Sequence, residues 1–198
     1  MPAFGSRQRR RPPTSGDEEV PPLSPAEQAT ASRAQALRML ERRSFSEAEL
    51  LRRLKDKGHA PEVAAATVER LLETGLVNDA TYARQVARTY LVGRRASVRR
   101  VQMEMTRRGI ARTLADDAIA EVRVDEGIGT EDDSVERAAR KKLKSLVGLD
   151  PITRARRLTG FLARRGFSGD IIRAAMRRLD AEATREAEQE DSGSTPSR

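Results

Sequence analysis

The sequence is poor in the residues that build catalytic and metal sites. It contains no cysteine, no tryptophan and a single histidine, His59, and only 3% of its residues are aromatic. Without cysteine there is no disulfide frame, no thiolate metal site and no thiol nucleophile. The scarcity of aromatic residues argues against the base-stacking platforms of single-strand and RNA-binding modules. We therefore expect neither a metal site nor a catalytic triad.

Long apolar runs are also absent from the sequence. No stretch approaches the roughly eighteen residues of a membrane span. The N-terminal arginines, from Arg7 to Arg11, are not followed by the apolar segment of a secretory signal. Neither a phosphate-binding loop nor a strand-borne dinucleotide motif occurs. These absences predict a cytoplasmic protein that is not an enzyme and binds no cofactor.

The clearest positive feature is a repeat marked by three glycines. Gly58, Gly109 and Gly166 lie 51 and 57 residues apart, and each follows a large apolar residue and a short polar or cationic run. Apolar residues recur five, ten and thirteen positions after each glycine. A period of about fifty residues is typical of stacked supersecondary modules, which provide surface for binding.

The sequence pattern of each repeat predicts three helices. The second helix opens with the capping box Ser46–Glu49 in the first copy, with Ser97 in the second and with Asp150-Pro151 in the third. The repeat glycines then follow where a helix end needs a left-handed residue. Sustained alternation of apolar and polar residues is missing, so the sequence predicts an all-α fold. We expect tandem three-helix modules in an elongated, curved array.

The same patterns divide the chain into six segments. A disordered N-terminal tail is followed by two modules, an acidic linker that we expect to be flexible, a third module and a disordered C-terminal tail. The predicted boundaries are, in that order, 1–33, 34–75, 76–124, 125–134, 135–180 and 181–198.

Positive charge is unevenly distributed along these modules. The net charge is +8, yet residues 34–75 hold eight basic and seven acidic residues. Residues 84–112 hold nine basic residues and one acid, and residues 135–180 hold thirteen and four. One acid among so many arginines predicts little internal salt bridging. The second and third modules are therefore expected to present a basic face to an anionic partner.

Several segments resemble one protein family. They include the box Ser46-Glu47-Ala48-Glu49-Leu50, the string Asn78-Asp79-Ala80-Thr81-Tyr82-Ala83, and Gly93-Arg94-Arg95-Ala96-Ser97 before a basic helix. The chain resembles the RecX regulatory proteins, which are bacterial modulators of the RecA recombinase. The resemblance covers about residues 34 to 180 and is loosest in the third copy.

The resemblance implies a non-enzymatic monomer that regulates DNA repair and the SOS response. It would bind the RecA filament in its groove, together with single-stranded or duplex DNA, and suppress recombinase, ATPase and coprotease activity. The alternatives are a direct DNA-binding protein with helix-turn-helix-like modules and a passive helical scaffold. Candidate contact residues are the arginines of the basic modules: Arg94, Arg95, Arg99, Arg100, Arg107, Arg108, Arg154, Arg156, Arg157, Arg164 and Arg165.

Overall fold

A computed structural model describes residues 23–193, and within this range the chain forms nine α-helices, one π-helical turn and no strand. The helices are α1 (Pro25–Leu40), α2 (Glu47–Asp56), α3 (Pro61–Glu73), α4 (Asp79–Arg88), α5 (Val98–Arg107), α6 (Arg112–Asp125), α7 (Glu131–Leu143), α8 (Pro151–Arg164) and α9 (Gly169–Gly193). The π-helical turn, Thr89–Gly93, continues directly from α4. The predicted all-α class is confirmed.

The helices group in threes, and each group has its own hydrophobic core. Helices α1–α3 form module 1, α4–α6 form module 2 and α7–α9 form module 3. The three cores are centred on Leu50 and Leu54, on Val101 and Met105, and on Leu162. Hydrogen bonds join module 1 to module 2 and module 2 to module 3, so the modules are linked in series.

The predicted start and stop signals of the second helices lie where expected, although the predicted capping box at Ser46 is only half formed. The carboxylate of Glu49 pairs with Arg43 and Arg53 instead of the backbone N–H of Ser46. Ser46 accepts the backbone N–H of Glu49 at 3.1 Å, and Asp150 accepts that of Thr153 at 2.9 Å. Ser97 caps α5 in the same way. The three repeat glycines have φ values of 88°, 74° and 90°, in the left-handed region that side chains disfavour. Each second helix is therefore bounded by its own local sequence.

Both ends of the folded region extend beyond the predicted limits. Helix α1 starts at Pro25, so the predicted disordered tail 1–33 is wrong for residues 25–33. The missed signal is a capping box in which Ser24 and Glu27 satisfy each other's backbone N–H groups. At the other end α9 continues to Gly193, so the tail 181–198 is wrong for residues 181–193. Residues 1–22 and 194–198 of the two tails lie outside the described residues.

The acidic segment 125–134 is a short turn followed by a helix. Helix α7 starts at Glu131 and is capped by a reciprocal pair between Thr130 and Asp133. Ile128 packs against the core of module 2, and its backbone N–H donates to the carbonyl of Arg123 at 2.8 Å. The expected flexible linker is therefore a hydrogen-bonded corner, because its acids cap a helix and its apolar residue is packed.

Candidate partner-binding surface

Modules 1 and 2 are joined through the ends of their second helices. The hydroxyl of Ser46, at the N-terminus of α2, donates to the carbonyl of Arg108, at the C-terminus of α5. A Cβ on Gly109 would lie 2.5 Å from the Cβ of Ala48, far inside van der Waals contact. The repeat glycine is therefore required for close approach of the two modules as well as for its backbone angle.

Modules 2 and 3 repeat this arrangement. The backbone N–H of Ser97, at the N-terminus of α5, donates to the carbonyl of Arg165 at 3.0 Å. A Cβ on Gly166 would lie 2.7 Å from the hydroxyl of Ser97 and 2.7 Å from the Cβ of Arg100. Helices α8, α5 and α2 therefore form one head-to-tail row in which each C-terminus meets the next N-terminus. Their dipoles are aligned favourably at both joints.

Helix α5 and its C-cap residue Arg108 carry four of the candidate arginines, and three of these four share one buried acid. Glu104 contacts Arg100 at 2.7 Å, Arg107 at 3.5 Å and Arg108 at 3.3 Å. The prediction that a single acid leaves little internal salt bridging is wrong here, because one carboxylate serves three guanidinium groups. These three arginines stabilise α5 and are only in part available to a partner.

Other cations of the 84–112 stretch pair with acids on α6. Arg84 contacts Glu121 at 3.1 Å and Arg88 contacts Glu126 at 2.7 Å. Arg112 likewise pairs with an acid one turn further along its own helix. The candidates of this stretch that have no acid within 4.0 Å among the described residues are Arg94, Arg95 and Arg99.

The arginines of helix α8 are not paired with acidic residues. It contains no acidic residue, and neither its four arginines nor Arg165 at its C-cap has an acidic partner within 4.0 Å in residues 23–193. Arg154, Arg157, Phe161 and Arg165 follow one another at intervals of three or four residues, so they share a face. Arg156 projects from a different side, so the five candidates on α8 and its C-cap do not form a single patch.

A cleft between modules 1 and 2 has no counterpart in the sequence predictions. It has a volume of about 530 Å³, and its lining includes Arg43, Arg52, Arg94 and the buried carboxylate of Glu49. Arg43 contacts Glu49 at 2.6 Å and Arg53 contacts it at 3.3 Å. Burial raises the pKa of Glu49, but these two guanidinium groups together hold it below its usual value. The cleft was missed because its walls come from distant segments.

The structure contains no arrangement typical of an active site within the described range. No three His, Cys, Asp or Glu side chains of residues 23–193 converge to hold a metal ion. His59 is half-buried beside the repeat glycine Gly58. Nor is any helix among these residues long and apolar enough to cross a membrane.

Three family models match the three modules in order. They describe the first, second and third three-helix domains of RecX and match residues 33–71, 78–119 and 130–176. The chain belongs to the RecX family. It is 34% identical over 142 residues to the regulatory protein RecX of Trichlorobacter lovleyi, covering 70% of this chain and 88% of the relative. The resemblance inferred from the sequence is thus confirmed.

Other RecX proteins and solved structures agree with this membership. The regulatory protein RecX of Mycobacterium avium is 33% identical over 154 residues, covering 76% of this chain and 87% of the relative. The crystal structure of RecX from Lactobacillus salivarius superimposes with a TM-score of 0.61 at 20% identity, covering 79% of this chain and 99% of that one. A second RecX structure gives 0.59 at 18% identity, with 83% and 79% covered. This RecX protein therefore has the fold and the regulatory character of its family.

Proposed function

We propose that this RecX protein binds the RecA–DNA filament and inhibits the recombinase, ATPase and coprotease activities of RecA. In this proposal a basic surface on α5 and α8 docks in the filament groove. The observation that carries it is that the guanidinium groups on this surface have no acidic partner among the described residues; they belong to Arg94, Arg95, Arg99, Arg154, Arg157, Arg164 and Arg165. Such groups are available for bidentate contact with phosphate or carboxylate.

The serial joints supply the second requirement of a filament ligand, which is a fixed spacing between contacts. Because α8 and α5 meet end to end at Ser97 and Arg165, their arginines are held on one continuous row. Several weak contacts held at fixed spacing along a repeating lattice combine into high avidity. A monomer in the cytoplasm is sufficient for this mode of binding.

The experiment compares two triple variants that lose the same charge. Arg154→Gln, Arg157→Gln and Arg164→Gln remove cations without acidic partners, whereas Arg84→Gln, Arg88→Gln and Arg112→Gln remove cations in exposed ion pairs. Inhibition of DNA-dependent RecA ATPase should fall by at least about tenfold in the first variant and change little in the second. Equal inhibition by both variants would exclude α8 from the binding surface.

Direct recognition of DNA is the second candidate function, and it is favoured by helix α8, in which every charged residue is basic. A protein of this kind would bind bare duplex with a steep dependence on salt, since each phosphate contact contributes about −0.9 to the logarithmic slope. A filament regulator requires the RecA coat for tight binding. The two functions therefore differ in partner requirement and not in the residues involved.

A further inference from the structure

An arginine with an unsatisfied donor lies where module 3 meets module 2. The guanidinium of Arg165 stacks on the ring of Phe161, 3.9 Å from its centroid. Its Nε is buried and has no hydrogen-bond partner among the described residues, although part of the side chain stays open to solvent. Burial of a charged donor without a partner costs free energy in the isolated protein.

The backbone of Arg95 is strained at the same junction. Arg95 has a φ of 48°, and no other described residue except glycine has a positive φ. A side chain in the left-handed region is disfavoured by contact with its own carbonyl group, and such strain concentrates at functional sites. The π-helical turn Thr89–Gly93, another feature common beside functional sites, ends two residues earlier.

Like charges also converge here without compensation. Burial and the positive charge of Arg95 together lower the pKa of Arg165, so the two guanidinium groups repel each other. The Nζ of Lys142 lies 5.5 Å from the centroid of the Phe161 ring and adds a third cation. None of the three has an acid within 4.0 Å among residues 23–193. An unsatisfied donor, a strained backbone and repulsion therefore coincide.

From these contacts we infer that Arg95, Lys142 and Arg165 form an anion site for one phosphodiester group of a nucleic-acid strand. A phosphate between the two guanidinium groups removes their repulsion and offsets the cost of the strained, partly desolvated arrangement. The inference rests on the proposed function, because the strand is the DNA of the RecA–DNA filament.

The extended basic face favours a phosphodiester strand over an isolated carboxylate. Arg154 and Arg165 lie eleven residues apart on α8, or about 16 Å along the helix. A nucleic-acid strand carries a charge about every 3.4 Å of helix axis, so the face meets several phosphates at once. Arg165 lies at the end of this face and Arg95 lies beyond it, so together they define where the strand crosses from module 3 to module 2.

The test measures binding of a fluorescent oligodeoxythymidylate to the full chain in the absence of RecA. Arg95→Gln and Arg165→Gln should each lower affinity about tenfold, as expected for a charge-assisted contact. The double variant should lose less than the product of the single losses, because both residues hold one phosphate. Arg156→Gln, which removes the same charge from another side of α8, should lose about twofold or less.

A folding control uses the strained position itself. Arg95→Gly removes the side chain and the left-handed strain together, so it should lower DNA affinity as Arg95→Gln does without lowering Tm. A Tm drop that parallels the loss of affinity would assign the effect to folding and overturn the site. Single variants that lose no more affinity than Arg156→Gln would also overturn it.

Two further binding measurements identify the ligand. An oligonucleotide with neutral methylphosphonate linkages should bind the wild type and Arg165→Gln equally. If polyglutamate binding falls in Arg165→Gln while DNA binding does not, the ligand is an acidic protein surface and the site is wrong. Loss of bare-DNA binding with intact ATPase inhibition would support the site and show that inhibition of RecA does not depend on it. Loss of inhibition with intact bare-DNA binding would overturn the site and leave the proposed function standing.

Discussion

The joint between modules 1 and 2 predicts that two equivalent glycines differ in their tolerance of alanine. Gly58 and Gly109 both have left-handed backbones, with φ of 88° and 74°. A Cβ on Gly58 meets no atom within 4 Å, whereas one on Gly109 lies 2.5 Å from the Cβ of Ala48. Gly58→Ala is therefore a matched control that carries the backbone strain without the clash.

The two substitutions should lower the free energy of unfolding by clearly different amounts. Left-handed alanine costs about 1–2 kcal/mol, less a few tenths regained from the unfolded chain, so Gly58→Ala should cost about 1 kcal/mol. Gly109→Ala must in addition push module 1 away by about 1 Å and lose the bond between Ser46 and Arg108. Overpacking costs about 1–3 kcal/mol and a lost hydrogen bond about 1 kcal/mol, which together with the backbone cost of about 1 kcal/mol gives a total of about 3–5 kcal/mol.

Urea denaturation followed by far-ultraviolet circular dichroism measures both values, and a second substitution sharpens the result. Ala48→Gly removes the clashing Cβ, and the remaining contact of Gly109→Ala would be with the Cα of residue 48 at 3.8 Å, an ordinary distance. The double variant should therefore regain most of the excess loss. Equal costs at Gly58 and Gly109, or no rescue by Ala48→Gly, would refute the role assigned to the joint.

Two other substitutions test the charge arrangement. Glu104→Gln leaves Arg100, Arg107 and Arg108 without their shared acid, so urea denaturation should show a loss of about 2–3 kcal/mol relative to the exposed control Glu69→Gln. DNA affinity in the same variant should rise rather than fall, because the basic surface gains net charge. Glu49→Gln should weaken the dependence of stability on pH at the acid end. Despite the opposing effect of burial, the pKa of Glu49 is lowered in the folded state by the guanidinium groups of Arg43 and Arg53. Its ionised form therefore stabilises the fold at higher pH, and that stabilisation disappears as the pH falls through the lowered pKa. Thermal unfolding between pH 3 and 7, about the range that contains the carboxylate transition, would contradict this if both proteins lost stability equally.

Local signals in the sequence were sufficient to predict where the second helix of each module begins and ends. Ser46, Ser97 and Asp150 are caps that act within three residues, and the glycine after each second helix is required by its own backbone angle. Such features depend on neighbours along the chain, so periodicity and capping residues reveal them.

The contacts between modules could not be predicted, because they join residues far apart in sequence. Ser46 and Arg108 are 62 residues apart, and neither residue type indicates the bond. Similarly, Glu104 neutralises three arginines only because α5 places them within its reach. A count of charges along the chain treats every arginine alike, whereas the fold separates paired from unpaired ones.

Helix α9 shows why weak apolar periodicity can mislead. Between residues 181 and 189 the described side chains are mostly exposed, yet residues 181–193 are rich in alanine and glutamate, which are good helix formers. Glu182 also contacts Arg140 of α7 at 2.6 Å. Propensity and one ion pair therefore extend a helix that is anchored by the core of module 3.

Our central claim is that a basic array of three-helix modules binds the RecA–DNA filament. Co-sedimentation tests this claim most directly. Preformed RecA filaments and the same DNA without RecA are pelleted with this RecX protein at equal DNA concentration. Our account predicts that far more protein pellets with the coated DNA, and that the triple substitution at Arg154, Arg157 and Arg164 removes the difference. Equal or greater pelleting with bare DNA would contradict it.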